Sequence, residues 1–315
     1  MAVFEHLIVL GAGAIGSVYA AKLAVRHDVT LIARREHVEA INRDGLRLTG
    51  REEVTCRVRA ATRIDSIAPA TLVLLTTKVS DNRAAAAALA YHVRDDTVIL
   101  CVQNGLGSED VVKEVLGGRG TVLRAITQFG AIFREPGVID YKVAGYTLIE
   151  ESPHSAAIAS LLTACGLDGR VSGNIKAEIW RKLIFNCVIN PITSMIGSDV
   201  GSIADARLDP LKRLVVDECL AVARADGVDG IDYSEDFVRT IADVFGSSRN
   251  VASMRQDLLR GKLTEIDFMN GAVVARGRRL GIDCPVNAAL AAIIKVMEAR
   301  AVCPERDAHP SRSSA

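Results

Sequence analysis

The chain has 315 residues, about two domains at roughly 150 residues each, with 49% hydrophobic and 24% charged residues. That balance excludes a largely disordered chain. Lys plus Arg and Asp plus Glu both number 38, so the net charge is zero and gives no support to a nucleic-acid partner.

From the N-terminus, Glu5 and His6 interrupt any signal-peptide core, and the apolar run Leu7 to Leu10 leads straight into glycines. Nowhere do about 18 consecutive apolar residues occur, so no membrane span is expected. Strand patterns follow at His6–Leu10, Val29–Ala33, Leu72–Thr76, Val98–Val102 and Val122–Thr127, with Ala-rich helical patterns at Ile15–Arg26 and Asn82–His92 among them. This alternation predicts a mostly parallel, doubly wound sheet. Two further stretches, Gly45–Ala60 and Gly137–Glu150 with a turn at Gly145, read as antiparallel strands added to that sheet. Beyond residue 152 the spacing turns helical: 155–165, 175–189, 210–226, 233–245, 254–260, 264–280 and 288–301. The expected organisation is α/β: an N-terminal Rossmann-type doubly wound sheet over residues 1–170, then an all-helical domain over 171–303. The segment 304–315 lacks periodicity and reads as a disordered tail. Seven scattered Cys with no CxxC pair, and six His with no HExxH, read as free thiols in a reducing cytoplasm rather than disulfides or a metal site.

Gly11-Ala12-Gly13-Ala14-Ile15-Gly16 lies where a strand turns into a helix, the place where a dinucleotide-binding turn needs its glycines. At the end of the second strand an NAD site carries an acidic residue for the ribose hydroxyls; here stand Arg34 and Arg35. A guanidinium at Arg34 pairs with a 2′-phosphate, which favours NADP(H), although both arginines also fit as solvated loop charges beside Glu36. Lys78 and Asn104 follow the next two strands, where ligands bind in such sheets; a solvated lysine and a simple Asn-Gly turn explain them equally well. In the helical half, Lys182, Asn186 and Asn190 recur every fourth position on an otherwise apolar helix and so share one slowly drifting stripe. Pro191 should kink or end that helix. A snorkelling Lys beside two structural Asn accounts for the same pattern.

Taken together, these motifs resemble the ketopantoate reductases (2-dehydropantoate 2-reductases). The resemblance runs from Gly11 to about Val296 and adds Gln103-Asn104-Gly105, Trp180-Arg181-Lys182, Ser253-Met254, Gly261 to Asp267, Asn270-Gly271 and Pro285-Val286-Asn287. It implies NADPH-dependent reduction of 2-dehydropantoate to pantoate, in pantothenate biosynthesis, with the small 2-keto acid in a cleft. It also implies that Lys182 is the general acid and Glu265 its acidic partner. Asn186, Asn190 and Ser253 hold substrate, Arg34 takes the 2′-phosphate, and Lys78 and Asn104 serve the nucleotide side. The family further implies pairing of two chains through the helical domain. Where some members carry an aromatic residue after the lysine, this chain has Val79-Ser80-Asp81. On the residues alone, Glu265 also fits as a first-turn charge of a 264–280 helix, and Ser253 as the N-cap of the stretch starting at Met254. A reductase of another 2-keto acid or imine, or a non-catalytic NADPH-binding protein, remains an alternative. No YxxxK pair, GxSxG elbow or GxxxxGK[ST] loop occurs.

Overall fold

The computed structural model describes residues 4–231 and 234–302, so the expected tail at 304–315 lies outside the described residues. The chain divides into two compact units, Met1–Ile175 and Lys176–Ala315. In the first unit the elements are, in order, β1 (His6–Leu10), α1 (Ala14–Leu23), β2 (Val29–Ile32), α2 (Arg35–Asp44), β3 (Leu46–Gly50), β4 (Val54–Cys56) and β5 (Arg59–Ala61). Next come β6 (Thr71–Leu75), α3 (Asn82–Ala90), β7 (Val98–Cys101), α4 (Ser108–Leu116) and β8 (Thr121–Thr127). The unit closes with β9 (Gly130–Glu135), β10 (Val138–Val143), β11 (Thr147–Glu150), α5 (Ser155–Ala164) and β12 (Gly169–Ser172). Because β12 pairs with β11, the strand at Gly169–Ser172 belongs to the first unit, and the division falls a few residues beyond the expected 170/171.

The main sheet has eight strands in the order β12-β11-β8-β7-β6-β1-β2-β5. From β8 to β5 every pairing is parallel, and β11 runs antiparallel to β8. The chain builds outward from β1 to one side and then returns to its other side with β6, which creates a topological switch point beside the glycine turn. Strands β6 and β7 are buried at every residue, as continuous apolar runs in the centre of a parallel sheet must be.

The extended stretches do not all join this sheet as expected. Residues of β3, β4, β9 and β10 form a separate four-stranded sheet, β4-β3-β10-β9, in which β3 and β10 pair in parallel although about ninety positions apart. Of those two stretches, only β5 and β11 enter the main sheet. The second sheet covers α1 on the side away from β1 and β2, so the helix is apolar nearly all round, with Val18, Tyr19, Ala20, Ala21 and Leu23 buried. The buried Tyr19 hydroxyl is satisfied by the hydroxyls of Thr127 and Thr147, at 2.5 and 2.7 Å, and burial pushes its pKa to about 12. His37 on α2 ties α1 to the turn between β9 and β10: its Nδ1 accepts from the Gly137 N–H at 2.8 Å, leaving Nε2 to donate to Ser17 Oγ at 3.1 Å.

The second unit is helical: α6 (Ile175–Met195), α7 (Asp209–Ala225), α8 (Ser234–Phe245), α9 (Ser253–Leu259), α10 (Asn270–Leu280) and α11 (Pro285–Val302). Pro191 does not end α6, which runs on to Met195. The proline ring denies the Cys187 carbonyl its helical partner, and the buried Asn270 side-chain amide takes that carbonyl at 3.0 Å. Asn270 also bonds Asn287, whose amide donates to Glu218, and the Glu218 carboxylate in turn accepts the Val286 and Asn287 N–H groups at the start of α11. The expected helix at 264–280 begins only at Asn270, because Thr264 turns away to donate both its N–H and its hydroxyl to buried Glu298, at 2.7 and 2.6 Å. No helix among the described residues is long and apolar enough to cross a membrane.

Candidate active site

In the nucleotide unit, Gly11 has φ +110°, and a Cβ there would meet the Thr77 backbone nitrogen at 2.5 Å. A Cβ on Gly16 would strike the Gly11 carbonyl at 2.2 Å, so this residue lets α1 sit tightly under the turn. Gly13 differs: a side chain there would meet nothing within 4 Å, so its absence leaves open space above the turn rather than solving a packing problem. Ala12, Ala14 and Ile15 complete the turn, and Thr76 Oγ1 locks it by donating to the Gly11 carbonyl at 2.6 Å. No side chain caps the first turn of α1 and no acidic residue sits in it, so its leading N–H groups and positive dipole end are left for an anion.

Arg34 is exposed at the N-cap of α2, directly beyond β2, and Arg35 follows it at the same positive helix end. Among the described residues no carboxylate pairs with Arg34, and Arg34 and Arg35 share the positive end of α2 with Glu36, the acidic residue of its first turn. Half-buried Lys78 caps the short turn after β6, and half-buried Asn104 lies in the loop after β7. The fold thus brings Gly11–Gly16, Arg34, Lys78 and Asn104 to the carboxyl ends of β1, β2, β6 and β7, four neighbouring parallel strands.

Beneath those loops lies a buried polar network that the motifs did not reveal. Asn82 Oδ1 accepts from Thr77 Oγ1 and from Gln103 Nε2, at 3.1 and 2.9 Å, joining the loop after β6 to the loop after β7. Arg124 of β8 is 2% exposed and donates to the carbonyls of Cys101, Ala125, Gln103 and Gly105. Its Nε lies 3.3 Å from the Glu109 carboxylate. Burial lowers its pKa, and Glu109 offsets part of that desolvation. The available sequence signal was an arginine inside the apolar run Val122–Ile126.

In the helical unit, Lys182, Asn186 and Asn190 all lie on α6. The stripe drifts by about 40° per step of four residues, and exposure falls along it: Lys182 and Asn186 are half-buried, Asn190 is buried. Asn190 Nδ2 faces the Met269 sulfur at 3.4 Å. Met269 and Asn270 therefore fasten the segment carrying Glu265 to α6. Glu265 precedes a short 3-10 turn, Ile266–Phe268, and not the first turn of an α-helix, which removes its reading as a dipole charge. Ser253 is exposed as the first residue of α9, whose cap is Ala252, so it is not the N-cap. Trp180 packs fully buried beside the stripe, and Arg181 turns instead to Glu178 and the Gly230 carbonyl.

A doubly wound dinucleotide unit followed by a helical unit with a Lys-Asn-Asn stripe defines a class of two-domain oxidoreductase. The family model described as ketopantoate reductase PanE/ApbA matches residues 7–154, and its C-terminal companion matches 174–298. The chain is 36% identical over 300 residues to the 2-dehydropantoate 2-reductase of Pyrococcus horikoshii, covering 93% of this chain and 97% of that one. It superposes on a PanE/ApbA family ketopantoate reductase from Ralstonia eutropha with a TM-score of 0.87 at 33% identity, over 94% of this chain and 99% of that one. D-mandelate dehydrogenase, solved with NADH and anilino(oxo)acetate, shares the fold with a TM-score of 0.85 at 24% identity, over 94% and 99%. The chain belongs to the ketopantoate reductase family.

Proposed function

We propose that this enzyme reduces 2-dehydropantoate to pantoate with NADPH, using Lys182 as the proton donor. The observation that carries the reading is the match of both halves to one reductase family, with the Lys182–Asn186–Asn190 stripe on a single helix. The nucleotide unit fits the cofactor: open space at Gly13, uncapped N–H groups at the start of α1, and Arg34 without a carboxylate partner. Gly11 to Gly16 would hold the pyrophosphate, Arg34 the 2′-phosphate, and the loops bearing Lys78 and Asn104 the nicotinamide side. When bound, NADPH supplies the hydride.

The residues of the chain do the rest. As the C2 carbonyl oxygen of the keto acid gains electrons, the Lys182 ammonium stabilises it and passes its proton to that oxygen; such help is worth about 10²–10⁴-fold in rate. Asn186 and Asn190 offer neutral amides for the carbonyl and a substrate hydroxyl, orienting them without adding charge. Ser253 adds an exposed hydroxyl, and Glu265 balances the ammonium and supports its reprotonation. The same reading places the enzyme in a reducing cytoplasm, consistent with six free cysteines among the described residues. It also pairs two chains through the helical unit; the exposed Ile293 and Val296 on α11 support such a contact, and sedimentation at twice the chain mass would be its sign.

The test is NADPH oxidation across a panel of 2-keto acids. An aromatic member is included because a D-mandelate dehydrogenase shares the fold. The reading expects kcat/KM for 2-dehydropantoate to exceed the others by orders of magnitude, whereas a flat profile favours a reductase of another 2-keto acid.

A further inference from the structure

We infer that Arg124 is a positioning residue that sets the geometry of the Gln103–Gly107 loop for the nicotinamide half of the dinucleotide. The inference rests on the proposed NADPH-dependent function and deepens it. A peptide unit is planar and trans, so its C=O and the following N–H point in opposite directions. Arg124 draws the carbonyls of Gln103 and Gly105 down toward β8, at 2.6 and 3.1 Å. The N–H groups of Asn104 and Leu106 therefore point the opposite way, and neither has a protein acceptor among the described residues. Gly105 adopts φ +83° to make this path possible.

Other contacts hold the platform in place. The Glu109 carboxylate forms an ion pair with the guanidinium 3.3 Å from Nε, two further guanidinium bonds reach the Cys101 and Ala125 carbonyls on the strands themselves, and Gln103 is clamped through Asn82 to Thr77 and to the Ser108 carbonyl. A fully buried guanidinium is costly to desolvate, and four carbonyl acceptors with one carboxylate are what offset that cost here. The result is a rigid loop presenting two outward N–H donors at the carboxyl end of β7, where the sheet receives its ligand. Their chemistry suits an uncharged or anionic oxygen acceptor, such as a carboxamide or ribose oxygen of the cofactor.

Two variants of the full chain test this. Arg124→Lys keeps a charge near Glu109, but one ammonium cannot span four carbonyls. Gly105→Ala strains the loop and leaves the buried charge untouched. Dissociation constants are measured for NADPH and for adenosine 2′,5′-bisphosphate, which engages only the Gly11–Gly16 and Arg34 side. Both variants should bind NADPH about tenfold more weakly, the worth of one or two oriented hydrogen bonds. Binding of adenosine 2′,5′-bisphosphate should stay within about twofold of wild type. Equal losses for both ligands, or unchanged NADPH binding in both variants, would overturn the positioning role alone. Wild type that binds the bisphosphate but not NADPH would take the proposed function down as well.

Discussion

The two units place their candidate functional groups in different ways. In the nucleotide unit, Gly11, Arg34, Lys78 and Asn104 come from four separate strand ends, and their mutual geometry depends on the sheet and on the polar network around Arg124 and Asn82. In the helical unit, Lys182, Asn186 and Asn190 share one helix, and a single buried amide, Asn270, repairs the hydrogen bond that Pro191 removes. The contrast teaches that a helix can carry a site in its own repeat, whereas a sheet needs long-range supports to align its loops.

The largest effect should come from the helical side. Lys182→Ala is expected to lower kcat by about 10²–10⁴-fold while the NADPH dissociation constant stays near wild type. A kcat within a few-fold of wild type would exclude Lys182 as the acid and collapse the division of labour between the units.

Stability should instead betray the nucleotide unit at low pH. Burial drops the His37 pKa from 6.5 to about 4. Between those values the unfolded chain takes up a proton that the folded chain refuses, so stability is complete above pH 6.5 and is lost as pH falls toward 4. The loss should be roughly 2–3 kcal/mol. His37→Gln should flatten that slope in urea melts; an unchanged slope would show that other groups carry it.

A similar or smaller loss is expected in the helical unit. Asn270→Ala strands the Cys187 carbonyl beside Pro191 and should cost about 1–3 kcal/mol, read from the denaturation midpoint, with NADPH affinity retained. Restoring the helical bond with Pro191→Ala in the same chain should recover part of that loss. Smallest is the cofactor choice: Arg34→Ala should raise KM for NADPH about tenfold and leave KM for NADH nearly unchanged. Equal effects on both cofactors would contradict a 2′-phosphate contact.

Local features of both units were legible because their signals are local. The glycine turn, the apolar strand runs and the four-residue spacing on α6 each lie within a short window. What escaped depends on residues distant in the chain. The second sheet exists because β3 pairs with β10, a partner that alternation alone cannot name. Helix α6 survives Pro191 because Asn270 supplies a donor from another helix. The break before α10 is made by Glu298, a buried carboxylate on α11 that captures Thr264. Arg124 was not singled out, since its partners are mostly backbone carbonyls that leave no trace in residue type.

The most direct measurement follows the hydride itself. With NADPH deuterated at the transferable C4 position and 2-dehydropantoate as substrate, each cofactor oxidised should yield one pantoate carrying deuterium at C2. Pantoate lacking the label, or cofactor consumed without pantoate, would contradict the account.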